Sequence, residues 1–298
     1  MIMKSICFVM FWIAMSAQVW ACDGCGTSSS NIGMLSAYRN NFVSFGIQQA
    51  SFATNSEHEN TTIDHFYQFK LSARYYLTNR FKVLVKVPYA LHIRQIKSNK
   101  NSIKGLADIQ IIGSYTFLQD LAIGEQIQLF AEINLGLKMP TGHYDSKLYQ
   151  SNLPENFNIG TGNWSGTLQP NFVLSYRNVG GLQISGMYQH NSLSKGGYRF
   201  GNQWNTQVML FAQQNFIRES QIIAQIGCLL EKATSDKYAN KNTVAYTGGS
   251  GTFGLAAFNI KTEKWLAGYS YALPFVSNYA DGQVMAKARN SMQVSFVF

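Results

Sequence analysis

Charge and long apolar runs are both scarce in this sequence of 298 residues. Only 13% of the residues are charged, and 15 Asp and Glu stand against 24 Lys and Arg. After residue 21, no uninterrupted apolar run reaches the roughly 18 residues that a membrane helix requires, which argues against a helical membrane protein. The basic residues are spread along the chain rather than gathered in one patch, which argues against nucleic-acid binding. Aromatic residues, in contrast, make up 14% of the chain, a high share for a soluble protein.

The first 21 residues have the pattern of an export signal. Lys4 lies in a short polar start, an apolar core runs from Ile6 to Met15, and the small residue Ala21 ends the segment at a plausible cleavage point. This order of regions is typical of a secretory signal peptide that is removed on export. The alternative is an uncleaved membrane anchor, against which the shortness of the apolar core argues.

A pair of cysteines, Cys22 and Cys25, follows the predicted cleavage point, in a segment 22–40 that we expect in the periplasm. Three interpretations remain open. Cys22 could be lipidated, although Trp20 stands where a small residue is usual. The pair could form a disulfide in an oxidising compartment. It could also bind a soft metal ion such as copper or zinc, although two thiolates supply only half of the usual four ligands.

From residue 41 onward, polar and apolar residues alternate in a series of segments. The clearest is 80–97, where the odd positions from Phe81 to Ile93 are apolar and the even ones include Lys82 and Lys86. A period of two residues is typical of a strand with one apolar and one polar face. About twelve strands are predicted, at residues 41–52, 63–78, 80–97, 105–117, 126–139, 162–177, 181–191, 203–217, 220–232, 251–261, 264–275 and 287–298. The prediction is an all-β, antiparallel up-and-down transmembrane β-barrel over residues 41–298.

The connections between these strands alternate between short and long. Short ones are predicted at 78–80, 118–125, 177–181, 217–220 and 261–264, and longer ones at 54–62, 97–104, 140–161, 191–202, 232–250 and 276–286. Outer-membrane barrels have short periplasmic turns and long outer loops, so this pattern favours a barrel whose partner is outer-membrane lipid. A secreted sandwich or a lipocalin-like barrel would show the same alternation with its polar face outward.

Charged residues share the strand faces opposite the aromatic-rich ones. A charge such as that of Glu132 is costly in lipid, so the polar face is predicted to be the lumen. The candidate pore-lining residues are Lys70, Arg74, Lys82, Lys86, Arg94, Asp108, Glu132, Lys138 and Arg289. Basic residues outnumber acidic ones in this set, so the lumen is predicted to favour anions.

The last strand ends on an aromatic residue at the carboxy-terminus. Met292, Val294, Phe296 and Phe298 alternate with polar residues. A final amphipathic strand ending in Phe resembles the sorting signal of Gram-negative outer-membrane barrels. This resemblance implies that the barrel-assembly machinery is a partner that reads Phe298.

Three short segments carry a resemblance to a family. They are Gly105-Leu106-Ala107-Asp108, the stretch from Leu135 to Gly142 that reads LGLKMPTG, and Ile159-Gly160-Thr161-Gly162. They resemble the outer-membrane family labelled as transporters or phenol-degradation meta-pathway proteins, with Ala107 in place of that family's second glycine. The resemblance implies a barrel with a transport role and supplies no catalytic residues.

The predicted function is therefore a passive outer-membrane channel for small solutes of unknown identity, without a cofactor and without enzymatic activity. One alternative is a closed structural barrel, and another is a barrel linked to soft-metal handling through Cys22 and Cys25. A third is a lipid hydrolase, because His190 and Ser192 resemble the His-x-Ser pair of outer-membrane phospholipases, with Asn205 as a candidate to orient the histidine.

Overall fold

The computed structural model describes residues 40–54, 62–97, 99–151, 153–177, 179–217, 220–240 and 242–298. The predicted signal peptide, residues 1–21, lies outside these ranges. So do Cys22 and Cys25 and the rest of segment 22–40 apart from Asn40. Among the described residues, no helix is long and apolar enough to span a membrane.

The chain folds into an antiparallel β-barrel that closes on itself with twelve long strands. Neighbours along the chain pair in an up-and-down order around the whole wall. In chain order the strands are β1 Phe42–Thr54, β2 Thr62–Tyr76, β3 Phe81–Ile96, β4 Asn99–Leu106, β5 Gln110–Ile123, β6 Ile127–Lys138, β7 Ser165–Tyr176, β8 Gly180–Asn191, β9 Tyr198–Arg199, β10 Gln203–Ile217, β11 Ser220–Ala233, β12 Lys237–Tyr238, β13 Gly249–Lys261, β14 Trp265–Tyr279, β15 Val284–Ala286 and β16 Arg289–Val297. Of the four short ones, β4 and β15 extend the wall, whereas β9 and β12 pair with each other outside it. The predicted fold class is confirmed.

Exposure decides which face of the wall is outside. Large apolar side chains face outward and are open to the surroundings, as at Leu71, Leu135 and Ile226, which are 53%, 61% and 66% exposed. The alternate positions are buried inside the barrel, as at Lys82 and Glu132, which are 2% and 0% exposed. An apolar exterior around a polar interior is the arrangement of a transmembrane barrel and the reverse of a soluble one. The secreted sandwich and lipocalin-like alternatives are therefore wrong.

The first and last strands close the barrel. β1 and β16 pair in antiparallel register from Phe42 opposite Val297 to Gln49 opposite Asn290. Beyond that ladder, the Phe298 backbone N–H donates to the Asn41 carbonyl at 3.1 Å. The carboxy-terminus therefore lies at the same end as the short turns, the end that faces the periplasm in outer-membrane barrels.

Some of the predicted connections differ from the structure. The predicted loop 97–104 is a hairpin in which Lys97 adopts a left-handed φ of 52° and β4 pairs with the outer part of β3. The predicted connection 118–125 is mostly strand, because β5 continues to Ile123 through two register shifts. The predicted connection 276–286 is also shorter, because β14 reaches Tyr279 and β15 follows a single 3-10 turn.

The connection from β6 to β7, predicted as a polar outer loop, turns inward instead. We call residues 139–164 the inner loop. It contains two 3-10 turns, Leu148–Ser151 and Glu155–Phe157. Its apolar residues Leu148, Leu153 and Phe157 join a buried cluster with strand residues such as Phe52 and Phe253. Part of the barrel's core is therefore supplied by a loop that enters its outer mouth.

Candidate functional site

The predicted pore-lining residues of the strands project inward, on the alternate positions that the barrel buries. The pairing of the strands agrees with this. Buried Ser44 faces inward on β1, and its ladder partner on β2 lies on the same face as Lys70 and Arg74. The ladder between β2 and β3 places Lys82 and Lys86 on that face too. Asp108, between β4 and β5, is also buried. Whether these residues line a conducting pore stays a prediction. Four of the basic residues are paired: Lys82 with Glu132, Arg94 with Asp64, Lys138 with Asp108, and Arg289 with Glu231.

The Lys82–Glu132 pair lies toward the periplasmic end of the barrel. Lys82 Nζ is 2.6 Å from Glu132 Oε2, and both side chains are almost fully buried. The Asn134 amide donates to Glu132 Oε1 at 3.3 Å, and the Lys82 ammonium lies 5.9 Å from the centre of the Phe130 ring. The contact joins β3 to β6 over the intervening β5 on one wall of the barrel, and it gives both buried charges a close partner. The charge of Lys82 is therefore largely offset.

A second buried pair, Arg289 with Glu231, lies toward the outer end. One guanidinium nitrogen of Arg289 is 2.8 Å from Oε1 and 2.9 Å from Oε2 of Glu231. The Tyr279 hydroxyl donates to the same carboxylate at 3.1 Å, and the guanidinium lies 3.9 Å above the Phe253 ring. The pair is thus held against aromatic rings, where a cation–π contact adds to the ionic one.

Lys70, Lys86 and Lys138 form an arc on one wall, and we call them the lysine arc. Lys86 lies directly opposite Gln110, and Gln110 directly opposite Lys138, in consecutive ladders. Two strand spacings separate the backbones of Lys86 and Lys138 by about 10 Å. Lys70 is on the next strand, where its ammonium donates to Gln48 at 2.5 Å.

Carboxylates are unevenly distributed around this arc. Lys138 is 3.9 Å from Asp108, a distance at the edge of an ion pair. Within the described ranges, no carboxylate lies within 4.0 Å of the ammonium of Lys70 or Lys86. Among the predicted lumen lysines, Lys70 and Lys86 therefore have the positive charges that nearby carboxylates offset least.

The lysine arc borders a cavity of about 200 Å³ inside the barrel. Apolar side chains such as Phe66, Pro88 and Ala90 share its wall with the lysines. Along β3 the cavity-facing positions run from Lys86 through Pro88 and Ala90 to His92. The cavity is therefore cationic at its deep end, while its outer part combines these apolar side chains with carboxylates such as Glu155 and Asp236.

The opposite wall is neutral. A smaller cavity of about 50 Å³ is lined there by amides and hydroxyls, with Arg289 at its edge. The amides and hydroxyls include Gln183, Gln207, Gln225, Asn259, Ser270 and Ser291. The lumen is thus asymmetric across its width, with the lysine arc on one side only.

Asp108 joins the three segments on which the family resemblance rests. It lies in a short break between β4 and β5. Its Oδ1 accepts the Gly142 N–H at 3.0 Å, and its Oδ2 accepts the Thr161 N–H at 2.8 Å and the Thr161 hydroxyl at 2.6 Å. One carboxylate thus fastens both ends of the inner loop.

Two glycines allow those ends to meet. A Cβ on Gly160 would lie 2.5 Å from the Gly142 carbonyl carbon, closer than real Cβ contacts. The Gly160 N–H also donates to the His143 carbonyl at 2.8 Å. Glycine is needed here for close backbone approach rather than for an unusual φ.

Phe157, at the tip of the inner loop, is fully buried in the outer mouth. Its ring lies 5.2 Å from the Phe66 ring, and the Arg94 guanidinium lies 5.0 Å from its centre. Its carbonyl oxygen is 3.0 Å from His92 Nδ1. The inner loop therefore narrows the lumen from the outer side.

Asp236 ties two further outer segments, 192–202 and 234–248, to each other. Its carboxylate accepts the Tyr198 hydroxyl at 2.5 Å and the Gly201 N–H at 2.6 Å. Burial raises the pKa of Asp236 to about 6, although both hydrogen bonds oppose the shift. Burial also raises the pKa of Glu155, another carboxyl that faces the large cavity.

The hydrolase alternative does not fit the geometry. The His190 side chain points away from the lumen on β8 and is exposed, whereas the Asn205 side chain points into the lumen from β10 and is buried. Asn205 pairs in register with Met187 rather than with His190. The Ser192 hydroxyl donates to the Leu193 carbonyl at 3.5 Å. The three residues therefore do not form the arrangement that nucleophile activation requires. The soft-metal alternative concerns Cys22 and Cys25, which lie outside the described residues.

Sequence reasoning missed several residues of this site. Asp64 could have been found, because it shares the inward parity of Lys70 on the same strand. Phe157 and Asp236 could not, because both lie in loops where no periodicity indicates which way a side chain points.

The chain is similar to solved outer-membrane barrels. It aligns with an outer membrane channel from Pseudomonas putida F1 at 14% identity, covering 86% of this chain and 96% of that one, with a TM-score of 0.61. The transport unit of the autotransporter AIDA-I from Escherichia coli aligns at 11% identity, covering 86% and 90%, with a TM-score of 0.48. The NanC porin aligns at 11% identity, covering 86% and 98%, with a TM-score of 0.41.

No family model and no curated protein matches the sequence. At 14% identity, the likeness to the Pseudomonas putida channel shows the fold alone. That fold, together with the apolar exterior, confirms the predicted location: the protein is an outer-membrane β-barrel.

Proposed function

We propose that the protein is a passive outer-membrane channel for small solutes and that it prefers anions. The observation that carries this proposal is the internal cavity of about 200 Å³ with the lysine arc on its wall. A packed structural barrel would gain no ion-pair stabilisation from Lys70 and Lys86, whose ammonium groups have no carboxylate within 4.0 Å among the described residues. In a water-filled passage such charges have a use, because they raise the local concentration of anions.

The preference rests on charge balance inside the barrel. The carboxylates of Asp64, Glu132 and Glu231 each have a basic partner within 2.8 Å. Those pairs contribute little net field. Lys70 and Lys86 are then the main source of positive potential at the deep end of the cavity, while Asp108, Glu155 and Asp236 line other parts of its wall. Since a narrow passage with low-dielectric walls focuses that field, the lysines repel cations as well as attract anions.

Packing limits the size of the solute. At the periplasmic end, Phe42, Leu84 and Ile112 form an apolar cluster beside Arg74, with a void of only about 10 Å³ between them. At the outer end, Phe157 occupies the mouth. We therefore expect a small conductance, well below that of an open porin.

Conductance of the refolded protein in planar bilayers, with a salt gradient across the membrane, tests the proposal. Wild-type protein should conduct with a reversal potential on the anion side. Lys86→Glu should move the reversal potential toward cations, most strongly at low salt, where the Debye length is about 30 Å at 0.01 M. Lys264→Glu is the matched control, because it makes the same charge change at an exposed turn. A protein that inserts but does not conduct would support the closed-barrel alternative, and equal shifts in both variants would remove the role of the lysine arc.

A further inference from the structure

We propose that the large cavity is a saturable binding site for a small organic carboxylate, with the carboxylate at Lys86 and Lys70 and an apolar chain directed toward the outer mouth. This proposal rests on the proposed channel function and names the class of solute that the passage selects. It follows from the order in which cationic and apolar groups succeed one another along the cavity wall.

The deep end supplies two ammonium groups on neighbouring strands. Lys86 faces Ser72 in the ladder and Lys70 faces Pro88, so the two lysines are diagonal neighbours on the inner face. Diagonal partners have Cα atoms roughly 7 Å apart, within the reach of two lysine side chains that hold one carboxylate. Lys70 already donates to the Gln48 amide oxygen at 2.5 Å, which holds its ammonium at the wall.

The cavity wall above the lysines is suited to hydrocarbon. On β3, Pro88 and Ala90 follow Lys86 at the cavity-facing positions, and on β2 Phe66 lies two inward positions beyond Lys70. Met187 lines the same cavity from β8. From Lys86 to Ala90 the wall extends about 13 Å, at 3.3 Å per residue. An inorganic anion would leave this apolar surface in contact with water.

Neutral amides complete the lining, with Gln110 directly opposite Lys86 and Gln68 directly opposite Ala90. Gln68, Gln110 and Gln169 line the cavity near the lysines. Amides can donate to a second carboxylate oxygen without adding charge. The site therefore offers charge, hydrogen bonds and apolar area within one cavity, whose lining also includes the carboxylates of Asp108, Glu155 and Asp236.

The test is calorimetric titration of the full-length protein in detergent with acetate, butanoate and hexanoate, and with hexanol as the neutral analogue. Affinity should rise roughly fourfold for each added methylene, the value expected for a buried CH₂. Hexanol should bind more weakly than hexanoate, because it lacks the group that the lysines hold. Affinity independent of chain length would overturn the proposal in favour of a simple anion site.

Variants assign the carboxylate end. Lys86→Met and Lys70→Met should each weaken hexanoate binding at least tenfold and leave hexanol binding unchanged, whereas Lys86→Arg should retain binding because it keeps the charge. Lys264→Met, at the exposed turn, is the control and should bind as wild type does. Folding of each variant is checked by heat-modifiable migration. Unchanged hexanoate affinity in both methionine variants would overturn the proposal.

The binding-site proposal and the channel proposal can be overturned separately. Titration in detergent needs no gradient and no open path, so binding without conductance would leave the site standing and remove the channel. Conductance that chloride carries and hexanoate does not reduce, with no heat of binding, would remove the site and leave the channel.

Discussion

At the scale of residues, the charged side chains inside this barrel are of two kinds: some are held in buried ion pairs, and others face a cavity. Lys82 and Arg289 are each within 2.8 Å of a carboxylate and almost fully buried. Loss of one partner would leave a buried uncompensated charge, which is costly. Lys70 and Lys86 instead face a cavity. Alternation along the strands predicts which residues point inward, but it does not predict this division, because each partner lies on a strand far away in the sequence.

Asp236 gives the outer segments a dependence on pH. Its pKa in the folded protein is about 6, above the ordinary value of 3.8, so the folded state binds more protons between these two values. The contact between segments 192–202 and 234–248 is therefore most stable below pH 4. It loses up to about 3 kcal/mol as the pH rises to 6, at 1.36 kcal/mol per pKa unit. Glu155 is the charged neighbour that adds to the shift.

Hydrogen exchange of the amides in both segments, measured from pH 4 to pH 8, checks this expectation. Protection should fall as the pH rises through the window. Tyr198→Phe removes a hydrogen bond that lowers the pKa of Asp236, so the fall should extend to higher pH. Tyr246→Phe is the control, since its ring is exposed in the same outer segment. Protection that is flat with pH in wild-type protein would contradict the assignment to Asp236.

At the scale of elements, the break between β4 and β5 organises the outer half of the lumen. Residues 107–109 leave the strand, which places the Asp108 carboxylate where both ends of the inner loop reach it. In the sequence, the three short segments stand out only because they resemble one family. The structure shows that all three meet at this carboxylate. Sequence alone could not show that, because Gly142 and Thr161 lie 34 and 53 residues away.

Strand β3 was predictable almost to its ends, and the inner loop was not. The predicted range 80–97 compares with Phe81–Ile96 in the structure. A long apolar alternation leaves only one face that lipid can accept, so register and bounds are both constrained. The inner loop has no such alternation, and its few apolar residues, Leu148, Leu153 and Phe157, do not reveal their partners on other strands.

Asp108→Ala should loosen the inner loop without dismantling the barrel. The change leaves the N–H groups of Gly142 and Thr161 without their acceptor, at a cost of about 1–3 kcal/mol for each buried group. We expect faster proteolysis within the inner loop and a higher conductance, because Phe157 leaves the outer mouth more often. Glu125→Ala, at an exposed periplasmic turn, is the control. An unchanged cleavage rate and an unchanged conductance would show that Asp108 does not hold the loop.

At the scale of the whole molecule, stability and location both depend on closure. The β1–β16 ladder removes the sheet edges, which would otherwise leave unpaired backbone groups in lipid. Phe298 continues this seam: its N–H donates to Asn41, and its ring is 59% exposed and stacks on Phe296 at 6.3 Å. The ring is therefore available to a partner, while the backbone contributes to closure.

Phe298→Ala should lower the yield of assembled barrel in the outer membrane several-fold, while export continues. The change removes the ring and keeps the backbone hydrogen bond, so a loss points to recognition by the barrel-assembly machinery rather than to weaker closure. The yield is measured as the heat-modifiable band in outer-membrane fractions. Phe216→Ala, which removes an exposed ring at the periplasmic end of β10, is the control. Equal yields for the two variants would mean that the terminal ring is not read.

The one-sided position of the lysine arc would also act on a solute that crosses the proposed channel. At the deep end of the cavity, lysines on one wall face neutral amides such as Gln207 and Gln225 on the other, so the field there has a component across the barrel. A transverse field exerts a torque on any molecule whose charge is off-centre. Such a molecule would cross with its negative end turned to one side, so the passage would sort solutes by how their charge is placed as well as by how much they carry.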